Sequence, residues 1–171
     1  MSKLLSIIVP VFDEEESIKE LFSEIKTTCE KNKIEYEVFF IDDGSKDRSF
    51  EIINKMASSN DNVKGIQFMR NYGKAAALAK GFELAEGKYV MTMDADLQDN
   101  PKEIPDLIAE LENGYDLISG WKKKRHDPIG KRLPSKIFNL IVSMVAGLRL
   151  HDFNCGLKIY RKEVCKTVKL Y

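Results

Sequence analysis

Short apolar runs that end in acid most constrain what this chain can fold into. Residues 4–11 read LLSIIVPV and run into Phe12-Asp13-Glu14. Residues 36–41 read YEVFFI and run into Asp42-Asp43-Gly44-Ser45. Residues 89–93 run into Asp94-Ala95-Asp96. A run of this length, apolar on both faces, is a strand buried on both sides. Helical spacing lies between the runs. Ile18, Leu21, Phe22, Ile25 and Cys29 follow a three-four rhythm, with Asp13 available to cap the start. Phe50, Ile53, Met56 and Ala57 mark a second, shorter helix, for which Ser45 or Asp47 is the expected cap. Residues 63–69 read as a third strand, and 74–86 as an alanine-rich helix stopped by Gly87. Asn100-Pro101 opens another helix with Ile104, Leu107, Ile108 and Leu111 inward, closed by Asn113-Gly114. Residues 115–119 are a fifth strand, and 162–170 a last helical patch. Strands alternating with helices predict an α/β fold: a mostly parallel twisted sheet with helices on both faces.

In such sheets ligands bind beyond the carboxyl ends of the strands. Residues 10–14, 42–47 and 94–99 therefore gather three acidic clusters along one edge. Asp94 and Asp96 leave a strand one residue apart, so both reach one hard cation. Mg²⁺ and Mn²⁺ prefer carboxylate oxygen, and Mg²⁺ is usually held by one or two carboxylates plus substrate phosphates. The competing reading is a loop of helix-capping aspartates, and Asp-x-Asp alone does not separate the two. A calcium loop starting at Asp94 would need glycine and glutamate where Asp99 and Pro105 stand. An aspartate-nucleophile phosphatase would need threonine or valine where Gln98 stands. There is no GxxxxGK[ST] loop and no GxGxxG turn. Asp42 is expected to face a nucleobase or ribose, and Asp43 to be the more structural of the two. Arg70 and Lys74 flank a helix N-terminus, which suits phosphate.

At 171 residues there is room for one domain. Net charge is zero, which argues against a generic polyanion binder and against nucleic acid as a partner. Residues 122–136 nevertheless hold seven basic residues and one acid, leaving −6 to the rest of the chain. Such a segment is either a solvated loop or the seat of a local anionic ligand. Cys29, Cys155 and Cys165 show no metal-ligand spacing and read as reduced thiols of a cytosolic compartment. The apolar stretch 137–148 is too short to span a bilayer.

Taken in order, PVFDEE at 10–15, DDGS at 42–45, RNYGKAAAL at 70–78 and DADLQD at 94–99 resemble the inverting family-2 glycosyltransferases. GWKKKR at 120–125, KRLPSKIFN at 131–139 and HDFNCGLKIYR at 151–161 resemble its polyprenyl-phosphate branch, which includes dolichol-phosphate and undecaprenyl-phosphate sugar transferases. The resemblance covers nearly the whole chain. It implies a GT-A (Rossmann-like) fold, with 1–171 as one catalytic domain cut short before juxtamembrane or transmembrane segments. It implies a UDP- or GDP-sugar donor, a divalent Mg²⁺ or Mn²⁺, and an undecaprenyl or dolichyl phosphate acceptor.

Residue by residue, the resemblance puts Pro10, Phe12 and Glu14 at the nucleotide, although the family often has Tyr at Phe12 and Asn at Asp13. It puts Asp42 at the base, Asp94, Ala95 and Asp96 at metal and diphosphate, and Gln98 beside the sugar. Lys122, Arg125, Arg132 and Ser135 would hold the acceptor phosphate. Arginine is common where Lys122 stands, and lysine keeps the charge without the bidentate fork. Asp152 matches the region of a catalytic base in the wider family. The implied location is the cytoplasmic face of a membrane, and a homo-oligomer stays open. The helical stretch 133–148 would either lie along the membrane interface or pack into the core. Two other functions remain: a transferase of the same fold with a sugar or protein hydroxyl acceptor and Asp152 as base, and an inactive nucleotide-sugar-binding fragment.

Overall fold

The computed structural model describes residues 4–120 and 155–167. Its strands are β1 (Leu5–Val11), β2 (Tyr36–Asp42), β3 (Val63–Gln67), β4 (Tyr89–Thr92), β5 (Leu117–Ser119) and β6 (Lys158–Arg161). Its α-helices are α1 (Ile18–Lys31), α2 (Ser49–Ser59), α3 (Lys74–Leu84), α4 (Ile104–Glu112) and α5 (Lys162–Thr167). The six strands form one sheet in the order β3-β2-β1-β4-β6-β5. The first four are parallel, and β6 runs antiparallel between β4 and β5.

Period-two alternation divides the core between two faces. Leu5, Ile7, Val9, Val38 and Phe40 pack with the apolar sides of α1, α2 and α4. Ile8, Phe39, Ile41 and Val90 pack on the other face with Ala77 of α3 and Cys165 of α5. Helices thus cover both faces, as the alternating pattern predicts. Gly81 lets α3 come close, since a Cβ there would stand 2.3 Å from Ile8 Cγ2. All four residues expected to point inward from α4 are buried. Asn100 Oδ1 accepts the Lys102 N–H at 3.1 Å, and a 3₁₀ turn (Pro101–Glu103) leads into α4.

Three local expectations are corrected. Asp13 does not cap α1. It adopts a left-handed backbone (φ 54°) and accepts the Lys46 N–H at 2.7 Å, joining the loop after β1 to the loop after β2. Gly87 does not stop α3, which ends at Leu84. Instead Gly87 lies against β1, where a Cβ would meet Ser6 N at 2.7 Å. Neither cap expected for α2 holds the N-cap position, which is Arg48: Asp47, one residue earlier, accepts the Ser49 N–H at 2.9 Å, and Ser45 Oγ accepts the Asp13 N–H. The strand β6 has no counterpart in the sequence reading. Arg161 at its end donates to Leu111 O at 2.9 Å and so closes the last turn of α4.

The three cysteines are buried and form no disulfide. Burial, with Glu30 adding to it, pushes the Cys29 thiol up to about 12, and burial pushes Cys165 up to about 12. Such thiols are poor nucleophiles. Among the described residues no helix is long and apolar enough to cross a membrane.

Candidate active site

The loops beyond the carboxyl ends of β1, β2, β3 and β4 meet around a cavity of about 260 Å³. The end of β1 and the loop after it supply Pro10, Val11, Phe12 and Glu14. Asp43 comes from the end of β2, and Asn71, Gly73 and Lys74 from the turn into α3. Asp94, Ala95 and Asp96 come from the end of β4. The register shows how they meet: Val11 pairs with Asp42, so β1 and β2 end level, while Thr92, the last residue of β4, pairs with Ile8, three residues before the end of β1.

The loops after β1 and β2 hold each other through hydrogen bonds between backbone and side chain. Glu14 N–H donates to Ser49 Oγ at 2.9 Å, and Glu15 N–H to Asp47 Oδ2 at 3.0 Å. Arg48 N–H answers to Glu15 Oε2 at 2.9 Å. Glu14 Oε2 accepts the Ser17 hydroxyl at 2.9 Å, which anchors its carboxylate at the cavity's edge. Phe12 is 43% exposed although it lines the cavity, a large apolar ring left for something else to cover.

Asp43 fixes the entry to α3. Its two carboxylate oxygens accept the N–H groups of Tyr72 (2.7 Å) and Gly73 (2.8 Å). Gly73 has φ 95°, a conformation that favours glycine, and from it α3 starts with Lys74 facing the cavity. Lys74 Nζ is ion-paired with Asp94 Oδ1. The Asp94 N–H donates to Asp99 Oδ2 at 2.9 Å, and Asp96 Oδ1 accepts the Gln98 N–H at 3.0 Å. Leu97, between them, is left-handed at φ 61° and exposed. For a non-glycine residue that is uncommon backbone, of the kind that clusters at functional sites.

The sequence-predicted residues divide by position. Pro10, Phe12, Glu14, Lys74, Asp94, Ala95 and Asp96 come together on the cavity wall. Asp42, Arg70 and Gln98 are not on it. Asp42 is fully buried. Its Oδ1 accepts the Ser45 N–H at 3.3 Å, and its Oδ2 is buried with no hydrogen-bond partner among the described residues. Asp43, expected to be the structural one, does anchor α3 and also lines the cavity, whereas Asp42, expected to face the ligand, is buried off the cavity wall. Asp42 shares the parity of Val38 and Phe40 and points into the α1–α2 side. The exposed Arg70 guanidinium stacks over the Tyr72 ring at 4.9 Å. Asn71 and Gly73 were not singled out, although they sit in the quoted RNYGK segment. Lys122, Arg125, Arg132, Ser135, Asp152 and the stretch 133–148 lie outside the described residues.

The donor set is hard oxygen, which fits Mg²⁺ or Mn²⁺. Among the described residues there is no group of three or more His, Cys, Asp or Glu side chains placed to hold a metal ion. Asp94 and Asp96 therefore fit a metal that brings most of its ligands with it, as a metal–diphosphate complex does.

Residues 6–169 match the model of a protein family described as glycosyl transferase family 2. The chain is 40% identical over 163 residues to an undecaprenyl-phosphate 4-deoxy-4-formamido-L-arabinose transferase of Pseudomonas fluorescens, covering 95% of this chain and 48% of that protein. It is 41% identical over 165 residues to the transferase of the same name from Shewanella sediminis, covering 96% of this chain and 50% of that protein. The chain thus spans about half the length of the curated relatives it matches. Its fold is similar to glucosyl-3-phosphoglycerate synthase from Mycobacterium tuberculosis, solved with Mn²⁺ and UDP-glucose. The TM-score is 0.73 at 19% identity, over 97% of this chain and 58% of that one. That likeness is one of fold, GT-A. The chain belongs to glycosyl transferase family 2.

Proposed function

We propose that this family-2 chain carries the donor site, and part of the acceptor site, of an inverting glycosyltransferase. It would move a sugar from a UDP- or GDP-sugar onto a polyprenyl phosphate at the cytoplasmic face of a membrane, with 1–171 as its catalytic domain. The observation that carries the reading is the cavity wall on which Asp94 and Asp96 stand beside Lys74 and the N-terminus of α3. The acceptor class rests on the undecaprenyl-phosphate transferases to which the chain is about 40% identical.

Pro10 and the exposed Phe12 ring offer the nucleobase an apolar wall. Asp43, on the cavity wall, is the acceptor for its N–H groups or for the ribose hydroxyls. The first-turn N–H groups of α3 and the Lys74 ammonium face the diphosphate. Asp94 and Asp96 would hold Mg²⁺ or Mn²⁺. A divalent ion bound there neutralises charge on the departing nucleoside diphosphate. Lys122, Arg125, Arg132 and Ser135 bind and orient the acceptor phosphate, and Asp152 and Gln98 orient acceptor and sugar. The second pKa of such a phosphate is about 6. It arrives largely ionised, so no strong base is needed to free the attacking oxygen. That oxygen bonds to the anomeric carbon as the carbon–oxygen bond to the diphosphate breaks. The electron pair leaves with the nucleoside diphosphate, and the single displacement inverts the centre.

The test is a transfer assay with undecaprenyl phosphate, Mn²⁺ and a panel of UDP- and GDP-sugars. It would use the 171-residue chain and a version extended to the length of its relatives. Lipid-linked sugar from one donor, lost in Asp96→Ala, supports the reading. Transfer to a sugar hydroxyl instead, with near-complete loss in Asp152→Asn, contradicts it. No transfer by either length reduces the function to nucleotide-sugar binding.

A further inference from the structure

We propose that Gly156 is a positioning residue for Asp94: its missing side chain makes the space in which the Asp94 carboxylate stands. A Cβ built on Gly156 would lie 2.3 Å from Asp94 Oδ2, 2.4 Å from Cγ and 2.6 Å from Oδ1. These distances run to all three atoms of the carboxylate, so rotation about its last bond relieves nothing. The backbone of Gly156 lies outside the left-handed region, so space rather than conformation calls for glycine here. The residue itself is held, since Thr92 Oγ donates to Gly156 O at 2.7 Å. Thr92 is the last residue of β4, two before Asp94.

Asp94 is thus fixed from three sides. Its own N–H is tied to Asp99, its Oδ1 is paired with Lys74, and its carboxylate fills the space a Cβ on Gly156 would take. A carboxylate so enclosed keeps one orientation toward the cavity, which is what a metal site asks of its ligands. The inference rests on the donor-site reading above for what the orientation serves. It does not rest on that reading for the contact itself. Gly156 sits in the HDFNCGLKIYR segment, just ahead of β6, so the strand inserted beside β4 delivers the backing for the Asp-x-Asp pair.

Four proteins test it: the unsubstituted chain, Gly156→Ala, Asp94→Ala and the double variant. Each is melted without ligand and titrated with UDP and with GDP, with and without Mn²⁺. Gly156→Ala should lower the melting temperature of the unsubstituted chain but scarcely that of Asp94→Ala, where no carboxylate is left to collide. The general effect of Gly→Ala on the unfolded chain is common to both backgrounds and cancels in the cycle. Gly156→Ala should also cut the Mn²⁺-dependent gain in nucleotide affinity by about tenfold or more. Metal-free affinity should stay unchanged. Gly120→Ala is the control, because its Cβ would meet Cys155 Sγ and Leu157 O at 3.2 Å and no site carboxylate. It should leave the Mn²⁺ gain intact. Additive melting shifts, or a full Mn²⁺ gain in Gly156→Ala, would overturn the proposal. Absence of any Mn²⁺ gain in the unsubstituted chain would instead sink the donor-site reading, and the melting cycle alone would then decide whether Gly156 makes room for Asp94.

Discussion

The two ends of one parallel sheet treat carboxylates in opposite ways. At the amino end Glu37 is fully buried and fully served. It accepts from the Ser6 hydroxyl at 2.7 Å, the Glu86 N–H at 3.1 Å and Lys64 Nζ at 3.1 Å. Ser6 in turn accepts the Gly87 N–H at 2.8 Å, so the network joins three strands to the turn before β4. At the carboxyl end Asp94 and Asp96 stand on a cavity wall with Lys74 as their only cation among the described ion pairs. A buried charge is tolerable only when its hydrogen-bond capacity is filled. Filled, it fixes the fold. Left open toward solvent at a strand end, the same residue type is available to a ligand.

The largest effect expected from this contrast is on function without stability. Asp96→Ala should reduce sugar transfer by about a hundredfold or more. Asp96 is exposed and its carboxylate accepts the Gln98 N–H at 3.0 Å, so the variant's melting temperature should hardly move. A large drop in melting temperature would mean that the carboxyl end is structural too.

The mirror image is Glu37→Ala, which should cost about 2–4 kcal/mol in urea melts by orphaning Ser6, the Glu86 N–H and Lys64. Nucleotide affinity should stay as it was. The same residue sets an acid limit. Burial works against the Glu37 carboxylate, but the bonds from Ser6, Glu86 and Lys64 outweigh it and hold its pKa below the ordinary value. A pKa depressed on folding adds stability that is present above the unfolded value of about 4.3. That stability is lost as pH falls through the folded value. Glu37→Gln should therefore flatten the decline in stability below about pH 4.3. An unchanged slope would show that other carboxylates govern it.

A smaller effect separates the adjacent aspartates. Asp43→Asn keeps one of two acceptors for the Tyr72 and Gly73 N–H groups. It should weaken nucleotide binding by roughly fivefold, the worth of one hydrogen bond of about 1 kcal/mol. Asp42→Asn, off the cavity wall, should weaken it less. Equal losses would return Asp42 to the base-binding role expected from its position in the motif.

What was legible in the sequence was whatever depends on near neighbours. The faces of α1 and α4 follow from the spacing of Ile18 to Cys29 and of Ile104 to Leu111. The strand-end position of Asp94 and Asp96 follows from the apolar run before them. What was hidden depends on partners far along the chain. Nothing in KIYR says that β6 inserts antiparallel between β4 and β5. Asp13 looks like a helix cap until Lys46 is known to stand beside it. Gly87 reads as a helix stop, and nothing marks Gly156, until Ser6 and Asp94 are seen in the space a Cβ would need. Both faces of β2 are buried and so are both aspartates, so alternation alone could not have told Asp42 from Asp43.

The most direct test of the central claim is calorimetric titration of the 171-residue chain with UDP and with GDP, with and without Mn²⁺, beside Asp96→Ala. The account predicts that one nucleotide binds, that Mn²⁺ strengthens it by about tenfold or more, and that Asp96→Ala removes the strengthening while still folding. Nucleotide binding indifferent to Mn²⁺, or equally strengthened in Asp96→Ala, would contradict the assignment of the carboxyl end of the sheet as a metal–diphosphate site.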